Sequence, residues 1–243
     1  MREKCLLVIV VVSLFMFCGC FYNNAGKIED DVVSEVVNDI EQEYISIYDD
    51  DSSKMMFEMG VKIRELESIP GIDDIVLVVN GCHITKKDIE KEKIVEENEE
   101  KYSPKELVLK VMREKVVISE AIKMKIGPPK DKINAYIEQI RAILKSNSDI
   151  ALALQSYMEG MEITIEQYLT ILEQKEYENY QRIGLWEMVK SVEKDEQIQK
   201  EANDRGVSVG VVDAEYYEKY VDELMDKAEI QILDEEIARI LSE

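Results

Sequence analysis

Residues 75–94 read Ile-Val-Leu-Val-Val-Asn-Gly-Cys-His-Ile-Thr-Lys-Lys-Asp-Ile-Glu-Lys-Glu-Lys-Ile. The apolar run Ile75–Val79 ends in Asn80-Gly81, a pair that favours a tight hairpin turn. His83-Ile84 then reads as a short second strand. Thr85 is placed to cap a helix, and Asp88 lies three residues on in an approximate capping box. The expected order is strand, turn, short strand, capped helix.

Beyond this point the pattern is almost entirely helical. A first helix is expected from Lys86 to about Lys101. Ser103-Pro104 supplies an N-cap with proline at the first helical position. Leu107, Val111, Ile118 and Ile122 mark one face of the helix that follows, which ends near Gly127 before Pro128-Pro129. Asp131–Lys145 carries Ile133, Tyr136, Ile137, Ile140 and Leu144 on one stripe. Ser148 or Asp149 caps a helix ending near Gly160. Thr164 caps a long one reaching toward Glu201, with a weak point at Gly184, and Asn203 to Gly206 closes it. Asp213 is expected to cap the last long helix. Glu229–Leu233 then alternates as a short strand should. An isolated strand cannot stand alone, so the simplest closure pairs Val76–Val79 with Ile230–Leu233. The expected fold class is mainly α, with a small β element joining N- and C-terminal strands.

The strand, the Val-Asn-Gly turn, the cap and the acidic helix at 76–96 resemble the start of the SurA/PrsA-type chaperone domain, the peptide-binding part of extracytoplasmic foldases. In that family N- and C-terminal segments also join to complete one module. The stretches beginning at Ala121 and Ala202 share a plan of helix end, glycine, short extended stretch and new helix with a tyrosine, and look like linkers that recur in the family. A parvulin-type prolyl isomerase domain often follows a segment like Glu215-Tyr216-Tyr217. Here the chain passes at once into Val221–Leu233, leaving no room for it. The resemblance covers about residues 73–233 and implies a helical peptide-binding module without an isomerase.

The N-terminal residues read as an export leader. Arg2 and Lys4 give a positive start, and Cys5–Cys18 is apolar apart from Ser13, the length of a signal-peptide core rather than a membrane span. It ends in Phe17-Cys18-Gly19-Cys20. This resembles a bacterial lipobox, with Gly19 before an acylated Cys20, although Phe17 departs from the usual leucine. The expected organisation is a signal peptide at 1–19, a lipidated N-terminus and acidic helical stalk at 20–72, and a chaperone-like domain at 73–243. In the stalk, Ile28 to Tyr48 and Lys54 to Ser68 have helical spacing, separated by a break at Asp49–Ser53. The expected place is the extracytoplasmic face of a bacterial cell membrane, held by the lipid. With Cys20 acylated, Cys82 is the remaining cysteine of the mature chain and cannot form an intramolecular disulfide.

Acidic residues number 52 and basic ones 30, for a net charge of −22. Such a surface repels nucleic acid and anionic headgroups, so membrane attachment depends on the lipid chains. It suits cationic partners, or serves only as a solubilising surface. His83 is the sole histidine, which excludes two-histidine metal sites and parvulin-like histidine pairs. No nucleophile elbow, P-loop or dinucleotide fingerprint occurs. The acid runs at 29–31, 49–51 and 96–100 lack the spaced oxygens and central glycine of a calcium loop. No cofactor, metal or catalytic residue is expected.

Methionine adapts its shape, and aromatics give contact area at low entropy cost. Trp186, Met158, Met161, Met188, Tyr168 and Tyr180 are therefore the candidates for a peptide-binding cradle, with ordinary core packing as the alternative for each. The expected function is non-catalytic binding of unfolded or newly exported polypeptides. The rival is an assembly lipoprotein that binds one folded partner. A solute-binding lipoprotein is disfavoured, because it needs strands and helices alternating around a cleft.

Anchoring is directly testable. Cys20→Ala is expected to release the protein from the membrane fraction or leave its precursor uncleaved. Mass spectrometry of the mature N-terminus checks this, and an unmodified N-terminus at another residue rules the lipid out.

Overall fold

The computed structural model describes residues 50–96, 102–127, 130–146, 148–190 and 192–243. The leader, Cys20 and the Ile28–Tyr48 stretch lie outside the described residues. Ile75–Val79 forms β1 and Cys82–Thr85 forms β2, joined by Asn80 at φ 49° and Gly81 at φ 81°. Both turn residues hold the left-handed backbone that a two-residue primed turn requires. Ile230–Ile232 forms β3. The sheet is antiparallel in the order β2-β1-β3, so β1 is the central strand. Leu77 stands opposite Ile232 and Val79 opposite Ile230, the closure expected from the alternation. The ladder runs on at both ends: Asn80 N–H donates to Glu229 O, and Leu233 N–H to Val76 O, each at 2.9 Å.

Asn80 does more than turn the chain. Its side-chain oxygen accepts from Glu229 N–H at 2.8 Å, and its amide nitrogen donates to Ser119 Oγ at 3.2 Å. One residue thus ties the hairpin, the C-terminal strand and a helix together.

Helix α2 (Lys86–Glu96) starts at the expected box: Asp88 accepts from Thr85 N–H at 2.8 Å, and Asp88 N–H donates to Thr85 Oγ1 at 3.2 Å. Helix α3 (Pro104–Lys123) starts at Ser103, which exchanges hydrogen bonds with Glu106. Ser148 caps α5 (Asp149–Met161), and Thr164 pairs with Gln167 at the start of α6 (Ile165–Val189). Helix α4 spans Lys130–Leu144.

Several boundaries differ from the periodicity. Helix α1 (Asp50–Glu67) already includes Asp50–Ser53, so these residues do not form a break. The long helix does not weaken at Gly184. It ends at Val189, and α7 (Val192–Arg205) follows. A side chain at Gly184 would meet Ile126 at 2.9 Å, so the glycine serves close packing rather than a bend. Helix α8 (Val209–Asp226) starts after Ser208, not at Asp213. A last helix, α9 (Glu235–Ser242), follows β3 with Asp234 as its cap.

Two compact units share these elements. Among the described residues the first comprises 50–72, 93–96, 130–146 and 148–179, and the second 73–92, 102–127, 180–190 and 192–243. In the first unit, Ile140, Leu144, Leu154, Met158, Leu169 and Leu172 form a core from α4, α5 and the start of α6. Arg141 adds a two-point ion pair to Glu166. Helix α1 crosses α5 with backbones in contact. A Cβ on Gly60 would lie 2.3 Å from Tyr157 O, and one on Gly160 would lie 2.2 Å from Phe57 O. Glycine is the one residue that permits this approach. The described part of the 20–72 segment is therefore a packed helix, with Met56, Met59, Ile63 and Leu66 buried.

In the second unit, α3 covers the sheet. Val76, Leu77, Val79 and Ile84 pack with Val108, Val111, Met112, Val116 and Ile237 of α9. A second layer joins Val117, Ala121, Leu185 and Val221. Among the described residues no helix is long and apolar enough to cross a membrane.

Deleting residues 229–243 removes β3, the bonds to Asn80 and buried Ile237. The expected loss is about 3–5 kcal/mol, a fall in Tm of about 10 °C or more. Thermal denaturation followed by circular dichroism checks it, and an unchanged Tm contradicts it.

Candidate functional site

The expected cradle residues fall in both units. In the first, Met158 and Met161 are buried in or beside the α4–α5–α6 core. Tyr168 is half-buried and meets Tyr157 edge-on, with centroids 6.2 Å apart. Burial raises the Tyr168 phenol, and burial with nearby Glu67 pushes Tyr157 up to about 12. Met158 belongs to that packed core, and Tyr168 packs against it.

In the second unit, Tyr180 is half-buried and Met188 is 60 % exposed. Trp186 is only 6 % exposed and forms the centre of a cluster with Ile198, Ala202 and Val212. Its indole N–H donates to both carboxylate oxygens of Asp213, at 3.2 and 3.3 Å. Tyr217 meets the ring edge-on at 5.6 Å, and Tyr220 lies tilted at 6.0 Å. The Lys190 and Lys194 ammonium groups lie 6.0 and 5.7 Å from its centroid.

Lys190 also reaches Glu187 at 3.0 Å, Asp195 at 3.5 Å and Asp213 at 3.6 Å. Burial works against its charge, yet Glu187, Asp213 and Asp195 hold the ammonium above the ordinary lysine range. Trp186 thus clamps α6, α7 and α8 through its ring, its N–H and the charges around it. This arrangement orients helices and does not present the indole to a ligand.

A second charged group links α2, α3 and α6. Lys110 pairs with Glu92, and Arg182 lies 3.9 Å from Glu114. Burial and then Glu92 push the Glu114 carboxyl above the usual range, against Arg182, Lys110 and Lys115. Cys82 is a half-buried free thiol, and His83 is exposed on β2. Among the described residues no three His, Cys, Asp or Glu side chains converge as metal ligands.

Part of the exposed apolar surface lies on and just after β3. Ile230 and Ile232 are each 42 % exposed and Leu233 is 51 % exposed. Their alternation was legible. Their exposure depends on β3 lying at the sheet edge, and sheet order is not written in local spacing. The i, i+4 placement of Trp186 and Lys190 was also readable, whereas Asp213 reaches the indole only through the packing of α8.

Trp186→Ala is expected to cost about 3–5 kcal/mol, as for large aromatic truncations in a core. Met188→Ala, at an exposed position, should stay within about 0.5 kcal/mol. Urea denaturation compares them. Equal effects would contradict the clamp.

Compared with family models, with curated proteins and with solved structures, the chain matches none.

Proposed function

We propose that this is a lipid-anchored, extracytoplasmic, chaperone-like protein that holds unfolded or newly exported polypeptides and does not catalyse their isomerisation. The observation that carries the reading is the joining of the N-terminal hairpin to the C-terminal strand at the end of a helical unit. That closure is what the SurA/PrsA-type resemblance of residues 73–233 implies. Exposed Met188, Ile230, Ile232 and Leu233 add apolar surface on which an unfolded chain can rest. Binding by apolar burial is broad in specificity.

A second reading, an assembly lipoprotein with one folded partner, draws on a different observation. Met158, Met161 and Trp186 are buried, so the soft residues expected to line a cradle serve packing instead. The net charge of −22 would then steer one cationic partner.

The soluble form starting after Cys20 is expected to suppress aggregation of an unrelated unfolded protein. It should leave prolyl cis–trans isomerisation of a test peptide at its uncatalysed rate. Suppression should persist at moderate salt, since apolar burial is not screened as surface charge pairs are. Tight capture of one folded partner without any suppression would favour the assembly reading.

A further inference from the structure

We propose that the outer edge of β3 takes an extended, cationic polypeptide segment as a fourth strand. This rests on the chaperone reading and names where, and by what chemistry, a chain would be held. In an antiparallel strand, backbone groups turn alternately to the two sides. Glu229 and Leu233 bond to Asn80 and Val76 of the hairpin, and Gln231 stands opposite Val78. The N–H and C=O groups of Ile230 and Ile232 therefore point away from β1. Among the described residues no further strand lies on that side. Their side chains, each 42 % exposed, offer apolar contact on the face shared with Leu77 and Val79.

The other edge of the sheet is less open. Thr85 N–H is taken by Asp88, and the chain enters α2 directly after β2. Edge strands are commonly blunted by shortness, lysine, proline or a bulge. β3 itself is three residues long, but its ladder continues through Glu229 and Leu233. Ile230-Gln231-Ile232-Leu233 contains no lysine or proline, and its pairing with β1 has no register shift.

Charge selects the occupant. Residues 222–236 carry seven carboxylates and one lysine, Lys227. Arg113, Lys227, Lys86 and Arg239 pair with Asp222, Glu223, Asp234 and Glu236, and Asp226, Glu229 and Glu235 keep this edge acidic. A second copy of β3 would bring the same carboxylates against these, and like charges across a strand pair oppose association. The acidic segment Ile28–Tyr48 is disfavoured for the same reason. A segment with alternating β-branched residues and lysine or arginine flanks matches both the edge and its field. Backbone pairing supplies the affinity and alternate side chains the selectivity.

The test uses the full-length chain in non-ionic detergent and the peptide Lys-Lys-Val-Thr-Val-Thr-Val-Lys-Lys. Binding is expected to protect the Ile230 and Ile232 amides from hydrogen exchange. In antiparallel pairing the valine nitrogens face β3 when the valines share the face of Ile230 and Ile232, and methylating them should weaken binding at least tenfold. Methylating the threonine nitrogens should leave it within about twofold, since they would face away. Replacing the lysines with glutamates should also weaken binding at least tenfold at low salt.

Ile232→Pro removes one outward donor and no bond to β1, and should weaken binding about tenfold while the chain still melts cooperatively. The methylated peptides keep the test decisive if that variant misfolds. Equal loss from both methylation patterns, equal binding of the glutamate peptide, or no protection at Ile230 and Ile232 overturns the proposal. If aggregation suppression survives such a result, the chaperone reading stands without the strand site. Strand addition without suppression would retain the edge site and remove the chaperone reading.

Discussion

The pairing of β1 with β3, fixed at its end by Asn80, is the constraint on which the second unit depends. A lone two-stranded hairpin is marginal in water. Here the third strand comes from residues near the other end of the chain, and Asn80 contributes both backbone and side-chain bonds to it. The same side chain reaches Ser119, on the helix that covers the sheet. Turn geometry, sheet closure and helix placement therefore meet in one residue. Its φ of 49° is a backbone state that asparagine tolerates better than most side chains. Aspartate could keep the turn. It could not donate to Ser119 as the amide does.

Two kinds of signal were readable in advance. Caps were clear, because Thr85-Asp88, Ser103-Pro104 and Ser148 act within a few residues of themselves. The strand pairing was clear because few segments alternate and each needed a partner. What failed was local inference from residues with distant partners. Asp213 looked like a cap but lies inside α8, where it accepts the Trp186 N–H. Gly184 looked like a weak point but gives room to Ile126. Gly60 has no local signature, and Gly160 reads locally only as a helix end, since the close approach depends on the other helix. Helix α9 does carry a local signal, since Asp234-Glu235-Glu236 precedes Ile237, Ile240 and Leu241 at helical spacing. Soft and aromatic residues are used in cores and binding surfaces alike, so composition could not separate the two.

The two units use different means to hold helices together. In the first, α1 and α5 remove side chains at their crossing and let backbones touch. In the second, Trp186 fills the junction of three helices and adds polar bonds at its rim. The first solution tolerates little enlargement, and the second little reduction. Sequence change should therefore be restricted in opposite senses at the two places, toward nothing larger than glycine at one and nothing smaller than a large aromatic at the other.

The closure of the sheet also sets an order of events during synthesis. Asn80 and its partner Glu229 lie 149 residues apart. At ordinary elongation rates that interval is roughly 7–30 s. Through it, Ile-Val-Leu-Val-Val lacks the β3 partner that completes its ladder. Such a run, apolar and β-branched without charge or proline, is the kind of segment most prone to pair with the wrong chain. The second unit can be finished only when β3 and α9 have been made. A nascent copy is thus a temporarily sticky chain before it is a folded one.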